Sequence, residues 1–86
     1  MTVSAATICQ SGVAYPVAIE IARQINAGPS GNTVASTNQL VASGLVPSAA
    51  KELVAQISAG SINTAKLVAA GLHHEVSTQI KKTSGL

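Results

Sequence analysis

Phenylalanine and tryptophan are absent from this 86-residue sequence, and Tyr15 is its one aromatic residue. Aromatic side chains bury the most area each. Without them the core must be built from Val, Ile and Leu, each worth roughly 1.5–3 kcal/mol when fully buried. Much of the 47% hydrophobic content is Ala, so a chain of this length has little margin. That balance predicts either low stability or stabilisation by association, with itself as an oligomer or with a partner. Charge is scarce too: 9% of residues are Asp, Glu, Lys or Arg, against about 25% in a typical domain. A surface so poor in charge predicts that part of it is covered in the working state. The net charge is +2, and only Lys81 and Lys82 stand side by side among the basic residues. This is not the basic footprint of a nucleic-acid binder.

Cysteine is nearly missing as well. Cys9 has no intrachain partner and lies in an apolar helical stretch, so it is expected to be a small buried hydrophobe. The N-terminus lacks the basic segment and apolar run of a secretion signal. No apolar run approaches the ~20 residues of a membrane span. The expected setting is the reducing cytoplasm until the chain joins an assembly.

What the sequence does hold is a repeat. "SGVAYPVAIEIARQINAG" at 11–28 returns as "SGLVPSAAKELVAQISAG" at 43–60. With an offset of 32, Gly12 meets Gly44, Glu20 meets Glu52, Ile21 meets Leu53, Gln24 meets Gln56, and Gly28 meets Gly60. A third copy follows at an offset of 27, with Leu40 on Leu67, Gly44 on Gly71, Leu45 on Leu72 and Leu53 on Ile80. This copy is shortened: Ser84 takes the slot of Ile25 and Ile57. Periods of this size mark repeated supersecondary units. The units span about 3–28, 35–60 and 62–86, and together form one domain.

Each unit reads as helix, glycine corner, helix. The first helix begins at Ser4, Ser36 or Asn63, all good capping residues, and Ser36 with Gln39 has the spacing of a capping box. Val3 with Ile8 and Ile62 with Leu67 have the spacing of a hydrophobic staple. The helix ends at Gly12, Gly44 or Gly71, and Val13, Leu45 or Leu72 plugs the corner. The second helix starts near Pro16, Pro47 or His74. Its apolar stripe runs Val17–Ile21–Ile25, Ala49–Leu53–Ile57 and Val76–Ile80. It stops at Gly28, Gly60 and, less regularly, Gly85. Between the first two copies, "PSGNT" at 29–33 is a turn-rich exposed loop. No stretch alternates with period two. The fold predicted is all-α: about six short helices, arranged as three helix–Gly–helix repeats in a small bundle or stack. The predicted core is Ile8, Val13, Val17, Ile21, Ile25, Leu40, Leu45, Leu53, Ile57, Leu67, Leu72, Val76 and Ile80.

Functional signatures are sparse. His73 and His74 are adjacent, and neighbours on a helix do not share a face. No Cys, Asp or second His cluster is spaced to complete a metal set. The "AGPSG" stretch lacks the Lys and the strand–helix context of a phosphate loop. Glu20 and Glu52 hold equivalent positions, which points to a repeated structural role, and Glu52 and Gln56 read as repeated surface positions rather than as chemistry. No catalytic residue, cofactor site or metal site is predicted. A DNA-binding helix-turn-helix is the alternative reading, for a small cytoplasmic regulatory protein. Its recognition helix, "SAAKELVAQI", offers the single cation Lys51, where base and phosphate contacts call for several.

What remains is interaction. The corners Tyr15, Pro16, Val46, Pro47, His73 and His74 are equivalent in the three units and are the candidate partner-binding residues, with Tyr15 as the anchor. The shortened last unit predicts that either the chain end folds over it or another molecule covers it. "SGLVPSAAKELVAQISAG", "AYPVAIEIARQINAG" and "LVAAGL" together resemble glycine-punctuated helical repeats of small bacteriophage virion proteins, both head-associated proteins and the capsid-binding parts of head fibres. The resemblance covers about Ser4 to Ile80. It implies a non-enzymatic structural or adaptor protein of a virion, made in the host cytoplasm, with capsid or fibre protein as partner; the short apolar runs and sparse charge speak separately against a membrane or a nucleic acid as the target.

Overall fold

Apolar spacing and capping chemistry divide the chain into six helices, seen in a computed structural model that describes residues 2–86. They are α1 (Ala5–Gln10), α2 (Tyr15–Ala27), α3 (Thr33–Ser43), α4 (Pro47–Ala59), α5 (Thr64–Ala69) and α6 (His74–Ser84). No strand occurs among the described residues. The fold is the small all-α bundle that the repeat predicts.

The units close on themselves. Within each unit the two helices pack together, as α1 on α2, α3 on α4 and α5 on α6. Between units the second helix packs on the next first helix, as α2 on α3 and α4 on α5, and α6 returns to α1. The pairing is therefore cyclic, which decides between a bundle and an open stack. The molecule measures 28 × 25 × 23 Å. The shortened third unit has no open end, because α1 covers it.

Equivalent positions of the three units meet in the core. Ile8, Leu40 and Leu67 are fully buried, as are Ile21, Leu53 and Ile80. Ala18, Ala50 and Ser77 form a third equivalent set, also fully buried. The one polar member is satisfied locally: the Ser77 Oγ donates to the His73 carbonyl at 2.9 Å. Val13, Ile25 and Cys9 depart from expectation in being only partly buried, packed at the margin of the core. Val3, Val54 and Ile62 join the core instead. Val3 and Ile62 precede the caps of α1 and α5 and are buried with Ile8 and Leu67, as hydrophobic staples require.

The corners are closed by backbone hydrogen bonds. The Leu45 N–H reaches the Leu40 carbonyl at 3.1 Å and the Gly44 N–H reaches the Val41 carbonyl at 3.0 Å. This is the Schellman pattern, with Gly44 in the left-handed region at φ 121°. Leu72 to Leu67 at 3.0 Å and Gly71 to Val68 at 3.0 Å repeat it. Gly44 is also held close to its neighbour, since a Cβ added there would lie 3.4 Å from the Val17 Cγ2.

One expectation about helix starts fails. Ser36 does not cap α3, and no Ser36–Gln39 capping box forms. The helix begins a turn earlier, where the Asn32 side chain accepts the Ala35 N–H at 3.0 Å. Thr33, read as loop, is helical. Asn is at least as good a cap as Ser, so the inserted segment carries its own start signal and α3 gains the turn Thr33–Ser36, which the other first helices lack. Asn63 caps α5 as expected, accepting the Lys66 N–H at 3.1 Å. Ser4 stands at the start of α1 but makes no side-chain cap bond.

Two stability outcomes follow. Asn32→Ala is expected to cost about 1 kcal/mol, lowering the melting temperature by roughly 4–8 °C, whereas Ser36→Ala leaves it within experimental error. Thermal unfolding by circular dichroism reads both. Ile80→Ala in the last unit is expected to cost about 2–5 kcal/mol, as much as Leu53→Ala in the middle one. An open stack would tolerate the terminal change better, so urea titrations of the two variants measure closure directly.

Candidate functional site

The six corner residues sit at the starts of the three second helices. Tyr15, Pro47 and His74 are the first residues of α2, α4 and α6. All six are exposed, Tyr15 at 56% and Val46 at 52%. Gly44, in the second corner, abuts Val17 near the start of α2; Gly71, in the third, abuts Val46 and Ser48; and Gly12, in the first, abuts Val76 near the start of α6. The Ser48 Oγ adds a hydrogen bond to the Ala70 carbonyl at 2.5 Å. Each corner thus lies against the start of a second helix in a neighbouring unit, and Tyr15 and Val46 are the exposed large apolar groups of these corners.

The more informative region lies where the repeat is broken. Two clefts flank the turn Thr33–Ser36. One, of about 330 Å³, is a largely apolar groove between α3 and α4, lined by Thr33, Val34, Thr37, Val54 and Ala55 with Lys51 among them. Val34 stands on the extra turn and is 69% exposed, the highest value for any large apolar side chain described. The other, of about 250 Å³, lies at the α2–α3 junction and is lined by Arg23, Gln24, Gly28, Ser30, Ser36 and Gln39, with Val54, Ile57 and Ser58 from α4.

Gln56 overturns the expectation of a repeated surface position, for it and its equivalent Gln24 are both buried. Each ties its helix to the unit that follows. The Gln56 Nε2 donates to the Glu52 Oε2 at 3.0 Å and to the Asn63 carbonyl at 3.2 Å, while its Oε1 accepts the Asn63 N–H at 2.9 Å. The Gln24 Nε2 donates to the Glu20 Oε2 at 3.0 Å and to the Ser36 carbonyl at 2.8 Å. Ser36 and Asn63 are themselves equivalent positions, so the clamp recurs with the repeat. The signal was present in the sequence as Glu-x-x-x-Gln in both copies, but that spacing is also the ordinary spacing of a solvated helical pair.

Glu20 is the centre of a second network. It forms an ion pair with Arg23, whose guanidinium Nη2 also donates to the Gln39 Oε1 at 2.6 Å. Burial pulls the Glu20 carboxyl upward, but hydrogen bonds from Arg23 and Gln24 and the Arg23 charge together hold it below its ordinary value. The same pair raises Arg23. Arg23 therefore brings little unbalanced charge to the cleft it lines.

Among the described residues no three His, Cys, Asp or Glu side chains come together as a metal site, and no helix is long and apolar enough to cross a membrane. The outward positions of α4 include Pro47, Ser48, Lys51, Ala55 and Ser58, so the helix in the place of a recognition helix presents one cation. Neither protein-family models, nor curated proteins, nor solved structures yield a match to this chain.

Because Glu20 binds its proton more weakly when folded, its contribution to stability is full above its unfolded value, about pH 4.3. That contribution is lost as pH falls through the depressed folded value. Urea midpoints measured from pH 7 to pH 2.5 are expected to fall in that acid window, and Glu20→Gln is expected to flatten this part of the profile.

Proposed function

We propose that this chain is a non-enzymatic structural or adaptor protein that works by protein–protein contact, as a component of a bacteriophage virion with capsid or fibre protein as its partner. The observation that carries the contact reading is Val34, held out on a helical turn that the other units lack, beside an apolar groove between α3 and α4. Insertions in repeat architectures fall on binding faces. An isolated exposed aliphatic needs no explanation, but one at the lip of an apolar groove marks an interaction site. Tyr15 and Val46 offer further exposed apolar groups at the corners. The virion assignment is supported by the resemblance of the glycine-punctuated repeats to small head-associated proteins, and by a surface too poor in charge to favour a phosphate backbone.

Mass spectrometry of purified particles tests the assignment. The protein is expected in the particles, and finding it only in infected-cell lysate would overturn the virion reading. Val34→Lys tests the surface. It is expected to weaken binding to purified capsid or fibre protein by at least tenfold while leaving the melting temperature unchanged, because the side chain is solvent-exposed. Unchanged binding would remove the groove from the interface. Duplex DNA titrated at low salt serves as the opposing arm, since tight binding with a steep salt dependence would replace the adaptor reading with the regulatory one.

A further inference from the structure

We propose that the cleft at the α2–α3 junction is a binding site for a secondary amide in an extended peptide segment, and that the side-chain carbonyl of Gln24 accepts its N–H. The template lies within the same molecule. At the next junction Gln56 grips both polar groups of one residue: its Nε2 donates to the Asn63 carbonyl and its Oε1 accepts the Asn63 N–H. Gln24 makes only half of that grip. Its Nε2 faces two acceptors, the Ser36 carbonyl and the Glu20 carboxylate, and this pair of acceptors identifies that end of the amide as nitrogen. The Oε1 is left to seek a donor, and the equivalent one is the Ser36 N–H. That N–H is already used, donating to the Asn32 carbonyl at 3.2 Å inside the extra turn of α3. Among the described residues no donor reaches the Gln24 Oε1.

Gln24 is nonetheless only 7% exposed. No sealed side-chain nitrogen or oxygen among the described residues lacks a partner, so the Oε1 keeps access to solvent, and Gln24 is one of the residues lining the cleft. The insertion has therefore turned a self-contained clamp into an open acceptor. The surroundings select the ligand. Ala27, Ala35, Val54 and Ile57 give apolar walls, and the Ser58 hydroxyl is a further polar group. Arg23 is neutralised by Glu20, so the site asks for an uncharged donor rather than an anion. A volume of about 250 Å³ is smaller than a drug-sized pocket and suits one or two small residues. The choice of a peptide as the source of the amide rests on the protein-contact reading above.

The test uses the full chain labelled with 15N. It is titrated with acetyl-alanyl-valine N-methylamide and with the same compound methylated at every amide nitrogen. Saturable shifts are expected at the Gln24 side chain, Gly28, Ser36 and Ser58, with the methylated compound binding about fivefold to tenfold more weakly. Equal binding of the two, or no binding of the first, overturns the acceptor role of Gln24. Ser58→Leu, at an exposed position outside the clamp, is expected to fill the cleft and abolish the shifts with the fold intact, and shifts that survive it overturn the location. N-methylacetamide is the third ligand; if it binds as tightly as the peptide, the peptide source is wrong. Particle composition does not enter any of these readouts, so failure here and failure of the virion reading are separate results.

Discussion

Each helix pair in this protein covers only part of its own apolar face, and everything else depends on the next pair covering the remainder in a cycle. With no Phe or Trp, no single side chain can make up for an uncovered face. The contact of α6 with α1 supplies the last cover. It explains how a third unit too short to end its stripe with Ile can still bury Val76 and Ile80 completely.

The polar interactions serve the same closure. The glutamine clamps join the first unit to the second and the second to the third through backbone groups near the start of a first helix. At the second junction one amide satisfies Asn63 on both sides. At the first, the extra turn of α3 supplies Ser36 with its own helical acceptor, and the clamp is left half-engaged. Function, on the reading offered here, gathers at this departure from symmetry: the exposed Val34, the apolar groove and the open Gln24 carbonyl all border the same inserted turn.

Much of this was legible in the sequence because it rests on local rules. Glycine corners, staples at Val3–Ile8 and Ile62–Leu67, and the spacing of Ile21, Leu53 and Ile80 are all short-range patterns. The start of α3 departs from the repeat because an insertion need not respect it: the helix begins at Asn32 and not at Ser36. Asn32 was visible as a capping residue in its own right. The burial of Gln24 and Gln56 was not legible, since it depends on Ser36 and Asn63 arriving from the next unit, and pairing within one helix looks the same on a solvated face. The nearness of each corner to the start of a second helix in a neighbouring unit follows only from closure and is not readable from any one repeat. The inserted clefts could not be foreseen, because they arise between elements and not within one.

Closure also limits how such a protein can change over generations. An open repeat array can gain or lose a unit at modest cost, since each unit touches only its neighbours. Here the first and last helices are neighbours, so a fourth unit would have to part α6 from α1, and a missing one would leave two faces bare. Among these three units, closure leaves variation to the connections between them. The one connection that has grown, between α2 and α3, is where this ring has acquired its individuality.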